Sequence, residues 1–195
     1  MDREAVETIE YKGHTINIYQ DSCDESPRDW DNITEIHYHS NSYCLGDTNW
    51  RNDMEGYEVM LRQAKRQGDL VIPMFAYIHS GVCLSLKDFY DVGLPQGHAY
   101  FDSGRAGTVI VRRKTILENW GKKKLTKELR QKGYDAAQSD IDTLNQYFAG
   151  DVYGYVIDED GDSCWGYYGM ECCTEEAKSI VDYIVEQAVK EPLEV

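Results

Sequence analysis

A chain of 195 residues with 42% hydrophobic and 12% aromatic content can bury a real core, which excludes a charged, disordered segment. Its net charge of −15 sets a long-range field against nucleic acid or anionic membrane as partners of the whole protein, and favours a partner with a basic surface. No apolar run approaches bilayer-spanning length and the N-terminus is acidic, so a cytoplasmic protein with its six cysteines reduced is expected.

In chain order, a Lys12-Gly13 turn precedes a strand at Thr15–Tyr19, where Ile16 and Ile18 alternate with polar residues. Residues 21–32 hold Pro27 among clustered Asp, Asn and Ser and read as a loop. A strand follows at Glu35–Ser40, then a loop over Tyr43–Asp53, and a helix over Met54–Gln67 that Gly68 stops. Leu70–Ile78 is the most apolar stretch and reads as a strand, with Pro73 marking a bulge or an edge position. A hairpin to Val82–Leu86 and a strand at Gly107–Arg113 come next. Thr115–Trp120 and Thr126–Gly133 read as a broken helix, and Ser139–Phe148 as a clearer one. Two β-rich runs, Asp151–Ile157 and Ser163–Tyr168, flank an Asp-Gly turn, the strongest hairpin signal in the chain. Thr174 reads as the N-cap of the last helix. Hairpins outnumber βαβ alternation, so the expected class is α+β: a mainly antiparallel sheet of hairpins carrying three to four helices. One compact domain over 1–195 is expected, with a basic helical segment at about 112–134 as a subdomain candidate.

Charge is unevenly spread. Residues 1–60 carry −10 and residues 135–195 carry −13, whereas residues 111–134 carry nine bases against two acids. Lys122, Lys123, Lys124, Lys127 and Arg130, close to Trp120, could therefore meet nucleic-acid phosphates through charge and one stacking ring. They could equally form a solvated helix face, or balance acidic segments across a homodimer.

Asp21, Asp24, Glu25, Asp29 and Asp31 place five carboxylates within eleven positions, around Arg28 and Trp30. Oxygen ligands of this kind suit Mg²⁺ or Ca²⁺, but the order of an EF-hand is absent, and acids in loops also cap turns. His37 and His39, two apart on a strand, share a face and could join His79 or Cys44 around Zn²⁺; a polar exposed face explains them as simply. A divalent metal is thus the only cofactor candidate. An enzyme built on these groups, a metal-dependent hydrolase or nucleotide-degrading factor, would use Asp21, Glu25, Asp31, His37 and His39. Cys23 or Cys164 could pair with His79 or His98 as a nucleophile, and Gly93–Gly97 and Gly104–Gly107 are glycine clusters. Neither set forms a nucleophile elbow, a phosphate-binding loop or a dinucleotide fingerprint, so no motif supports catalysis.

Three pieces in fixed order resemble a bacteriophage and prophage protein family. They are Asp24-Glu-Ser-Pro-Arg-Asp-Trp-Asp-Asn32 with Tyr43-Cys-Leu-Gly-Asp47, then the 112–132 region with Trp120-Gly121 and Leu125-Thr126-Lys127, then Gly150-Asp-Val-Tyr-Gly-Tyr-Val156 with Asp162-Ser-Cys-Trp-Gly-Tyr-Tyr-Gly169. No enzymatic role attaches to these pieces, and where the family has a His-rich stretch this chain has His37-Tyr-His39 and Ser40-Asn-Ser42. The resemblance implies a counter-defence protein in the host bacterial cytoplasm, an anti-CRISPR-type inhibitor of a Cas effector such as Cas9 with its guide RNA. Binding would exploit a basic nucleic-acid groove, with acidic surfaces acting as a DNA mimic. The residues expected at that interface are Asp21, Asp24, Glu25, Arg28, Asp29, Trp30, Asp31, Asp158, Glu159, Asp160 and Asp162.

Overall fold

The computed structural model describes residues 4–22, 25–90, 102–158 and 161–190. They form an α+β fold with two mostly antiparallel sheets. The chain divides into a terminal unit, Met1–Glu25 with Ala149–Val195, and a central unit, Ser26–Phe148.

The terminal unit is a four-stranded antiparallel sheet in the order β1-β2-β8-β9, made of Glu7–Tyr11, His14–Gln20, Val152–Ile157 and Ser163–Tyr168. Lys12 and Gly13 both take positive φ, 48° and 86°, giving the two-residue turn whose twist suits a hairpin. β1 is not apparent in the sequence, where only Ile9 and Tyr11 alternate within an acidic stretch. One sheet face presents Ile16, Ile18, Tyr155 and Ile157, and the helix Met170–Lys190 closes that face with Cys173, Ala177 and Val181. This helix starts four residues before the expected Thr174. Gly169, at φ 85°, ends β9 and lets the chain turn straight into it, so Thr174 lies inside the helix rather than capping it.

The central unit holds a five-stranded sheet in the order β4-β3-β7-β5-β6: Thr48–Asn49, Thr34–Tyr38, Ser103–Val111, Leu70–Ile78 and Val82–Ser85. Only β3 and β4 pair in parallel. β7 starts four residues earlier than expected because its pairing with β5 continues past a register shift at Met74/Phe75. Pro73, with no N–H to give, sits beside that shift and ahead of Phe75, where pairing with β6 begins.

Helix α1, Met54–Gln67, is capped by Asp53, whose Oδ1 accepts from the Gly56 amide at 2.8 Å, and it ends at left-handed Gly68. It meets the sheet face carrying Thr108, through a 2.6 Å hydrogen bond between the Tyr57 and Thr108 hydroxyls. The other face carries Ile36, Ile72, Met74, Val109 and Val111, and buries Leu129, Ala137, Ile141 and Leu144 of the long helix α3, Lys127–Ala149. The short helix α2, Arg113–Asn119, adds Ile116 to the same core; the last helix, Met170–Lys190, is α4. α3 merges the two helices expected at 126–133 and 139–148. Gly133, where the first of these was expected to end, is a packing contact: a Cβ there would stand 3.0 Å from Ile116 Cδ1 and 3.3 Å from Leu70 Cδ2. At the far end of α3, Asn145 accepts from the Leu84 amide at 2.7 Å and donates to the Leu84 carbonyl at 2.9 Å, occupying backbone groups of the edge strand β6.

Candidate functional site

Residues 26–32 and 43–47 join in the central unit around one guanidinium. Ser26 caps the 3-10 turn Pro27–Asp29 by accepting from the Arg28 amide, and Asn32 closes the loop onto the carbonyls of Pro27 and Trp30, each at 2.9 Å. The Arg28 side chain is only 8% exposed. Its Nε and Nη2 donate to the two oxygens of Asp47 at 2.8 Å each, Nη2 also donates to the Thr34 carbonyl at 2.8 Å, and Nη1 reaches Thr34 Oγ1 at 3.3 Å and Asp140 Oδ2 at 3.2 Å. A guanidinium has five N–H donors, and all five are used. Asp47 additionally accepts from the Ile36 amide at 2.6 Å, and Thr34 donates to Asp140. Leu45 enters the core, and Gly46 lies so close to β3 that a Cβ would overlap the Ile36 side chain. Arg28 therefore spends its hydrogen-bonding capacity inside the fold, while Asp29, Trp30 and Asp31 around it are exposed.

A second polar cluster lies on the α1 side of β3. His37 is 7% exposed. The Trp50 indole N–H donates to its Nδ1 at 3.0 Å, so the ring proton of neutral His37 sits on Nε2, which faces Glu35 Oε2 at 3.3 Å. Burial holds the His37 pKa below the ordinary histidine value of 6.5. Arg112 grips Glu35 with Nε at 2.8 Å and Nη2 at 2.5 Å, which lowers the Glu35 pKa, and its Nη1 reaches Asp69 at 3.2 Å. Asp69 in turn accepts from the Arg113 amide at 2.8 Å where α2 begins. His39 meets Tyr57 edge-on, and His79 pairs with Asp102 at 3.0 Å. Both His37 nitrogens are thus engaged, and among the described residues no group of three or more His, Cys, Asp or Glu side chains is placed to hold a metal ion. The residues considered for a hydrolase are divided between the units: Asp21 and Glu25 belong to the terminal unit, and Asp31, His37 and His39 to the central one.

The residues expected at a partner interface divide between the two units. Asp21, Glu25, Asp158 and Asp162 belong to the terminal unit, whereas Arg28, Asp29, Trp30 and Asp31 belong to the central one. Asp24, Glu159 and Asp160 lie outside the described residues, as do Cys23, Gly93–Gly97 and His98. Asp158 is committed locally: at φ 54° it accepts from His14 at 2.7 Å and from the Thr15 amide at 2.9 Å, and the His14 hydrogen bond leads in lowering its pKa. Glu25 and Asp162 are exposed.

What a linear reading misses is how cleanly charge follows the fold. Residues 1–25 and 149–195 carry nineteen acids against four bases, a net −15, whereas residues 26–148 carry sixteen of each. The whole net charge of the protein thus resides in the terminal unit. Glu171, Glu175, Asp182 and Glu186 recur along one face of α4, a stripe that helical spacing would have disclosed once the start of the helix was placed correctly. Asp182 is the member that pairs with Lys12, at 2.8 Å. On the sheet face turned away from α4, Trp165 is 40% exposed beside Tyr19, with ring centroids 5.9 Å apart, and it lies over Gly154, where any side chain would overlap its indole.

The basic island belongs to the central unit. Lys122, Lys123, Lys124 and Lys132 line one cavity with Trp120, and Lys127 and Arg130 line a neighbouring one with Lys65 and Tyr134. No helix among the described residues is long and apolar enough to cross a membrane. No family model matches this chain, and no curated protein or solved structure matches it either.

Proposed function

We propose that the protein is an inhibitor that acts by binding, its terminal unit occupying the basic nucleic-acid groove of a host defence effector, an RNA-guided Cas nuclease foremost. The observation that carries this reading is the segregation of charge, with −15 on a unit of 72 residues and none on the remainder. The density is that of a nucleic acid. A 72-residue unit has a radius of gyration of about 11 Å and so a diameter of roughly 29 Å, a length over which duplex DNA carries about 17 phosphates. Such a body competes for a groove shaped and charged for phosphate, and its field speeds encounter with it. Exposed Trp165 and half-buried Tyr19, neighbouring aromatics within this acidic unit, suit the anchor role at such an interface better than Trp30 of the charge-balanced unit.

The test is to mix pure protein with effector and guide RNA and to follow complex formation and target cleavage across a salt series. A complex that weakens as salt rises, with cleavage lost in parallel, is expected. Absence of any complex with RNA-guided nucleases even at low salt would sink the proposal.

A further inference from the structure

The basic island is the one strongly charged surface to which that inhibitor gives no role. Trp120, Lys122, Lys123, Lys124, Glu128 and Lys132 line a cavity of about 670 Å³, within the range of small-ligand pockets. On the other flank of the first turns of α3, Lys65, Lys127, Arg130 and Tyr134 line a second cavity of about 530 Å³, whose one carboxylate, Asp69, is already paired with Arg112. Among the described residues none of these seven cations forms an ion pair, in contrast to Arg28, Arg112 and Lys114 of the same unit. The fold therefore gathers positive charge that it does not neutralise, beside an aromatic ring on each flank. A positive groove combined with aromatic platforms is the arrangement that holds single-stranded nucleic acid, each base having a π-face to stack and each phosphate a charge to meet.

We infer that the Trp120 cavity binds a nucleotide, its base against the indole and its phosphate against Lys122, Lys123, Lys124 and Lys132. An α-helix with its side chains is about 10 Å wide, so a single strand crossing the start of α3 reaches the Tyr134 cavity within a few nucleotides. The ligand chemistry is an aromatic base carrying phosphate, present either as free nucleotide or as a unit of single-stranded RNA or DNA. At about 0.1 M salt, charge more than about 10 Å away is largely screened, so the cations lining the two cavities, which form no ion pair among the described residues, govern the site rather than the overall −15. A planar base fits an aromatic-lined cavity better than the carboxylates of a second copy would, which sets nucleotide ahead of self-association. The site lies in the charge-balanced unit and does not depend on an effector.

The full chain alone is titrated into labelled oligothymidylate and oligouridylate, with fluorescence anisotropy as readout, at about 50 to 200 mM salt. On an oligonucleotide whose successive phosphates meet the four lysines, four contacts predict a logarithmic salt slope of about −2.8, hence a loss of roughly 50-fold over that range. Lys123→Glu with Lys132→Glu, both exposed and so compatible with folding, should make the slope shallower by about 1.4 and weaken binding at least roughly tenfold. Lys87→Glu, an exposed lysine outside the island, should change neither. Oligonucleotide binding well above that of AMP identifies a single strand as the ligand; AMP binding as tightly as the oligonucleotide identifies free nucleotide, and either result sustains the site. Four results overturn it: no binding at the lowest salt, equal competition by polyphosphate that lacks bases, equal loss on Lys87→Glu, or light scattering that detects self-association through these lysines without oligonucleotide binding. None of these outcomes depends on whether a defence effector is inhibited.

Discussion

Removing the Arg28 side chain should destabilise the central unit whether or not a partner is present. Arg28→Ala deletes five hydrogen bonds and leaves two carboxylates, Asp47 and Asp140, without their cation. Breaking a buried ion pair costs about 3–5 kcal/mol. Here the acceptors are 29% and 22% exposed, so water recovers part of the loss, and an expected cost of about 3 kcal/mol follows. Arg28→Lys keeps the charge but cannot span both Asp47 oxygens and Thr34 together, and about 2 kcal/mol is expected for it. Three of the four tryptophans, Trp30, Trp50 and Trp120, belong to the central unit, so intrinsic fluorescence during urea unfolding reports on it. With a urea slope of about 2 kcal/mol per molar, the Arg28→Ala midpoint should fall by roughly 1.5 M. A double-mutant cycle with Asp47→Ala should return a coupling of at least about 1 kcal/mol. If Arg28→Ala melts like the parent protein and loses only partner binding, the clamp reasoning is wrong and Arg28 belongs to an interface.

Three further outcomes can be checked. His37 is held neutral by burial and by the Trp50 N–H, so its folded pKa lies below the unfolded value of 6.5; stability is level above that value and falls as pH drops below it, because the unfolded chain takes up a proton that the folded ring resists. His37→Gln should flatten the dependence of the urea midpoint between about pH 6.5 and pH 5, leaving the more acidic loss due to Glu35, which sets in only below its ordinary value of 4.5; an unchanged slope would refute the assignment. Gly46→Ala should cost about 1–3 kcal/mol by overpacking, since the new Cβ would stand 2.6 Å from Ile36 Cβ, and thermal melting reads the loss. Asn145→Ala frees the Leu84 amide and carbonyl on β6, and should cost about 1–3 kcal/mol and raise concentration-dependent association in light scattering.

The parts of the fold that the sequence disclosed are those ruled by local chemistry. Leu70–Ile78 and Met54–Gln67 fall where apolar pattern and Gly68 place them, and the 152–168 hairpin follows its turn residues. The parts that escaped depend on distant neighbours. Gly133 looks like a helix end until Ile116 and Leu70 are seen against it, and Thr174 looks like a cap until Gly169 begins the helix earlier. The same division runs through the candidate sites. That 24–32 and 43–47 carry mixed chemistry is plain from residue types, but whether Arg28 faces solvent or Asp47 is decided by pairing across nineteen positions. The uneven charge was visible as acidic flanks around a basic island, whereas the exact balance of residues 26–148 needed the unit boundary.

That boundary also dictates an order of assembly. The central unit is an insertion within the terminal sheet, entering after β2 and leaving before β8, two strands that pair side by side. On the ribosome residues 26–148 emerge complete while the terminal sheet still lacks half its strands and α4. Once folded, the insertion fixes Arg28, two residues past its start, 3.2 Å from Asp140, eight residues before its end. The connection that β2 must close to meet β8 then behaves as a loop of about 20 residues in place of one of about 130, a saving of just under about 2 kcal/mol in closure entropy. Any lesion that destabilises the insertion, Arg28→Ala included, should therefore delay formation of the acidic unit as well, although that unit shares none of the altered contacts.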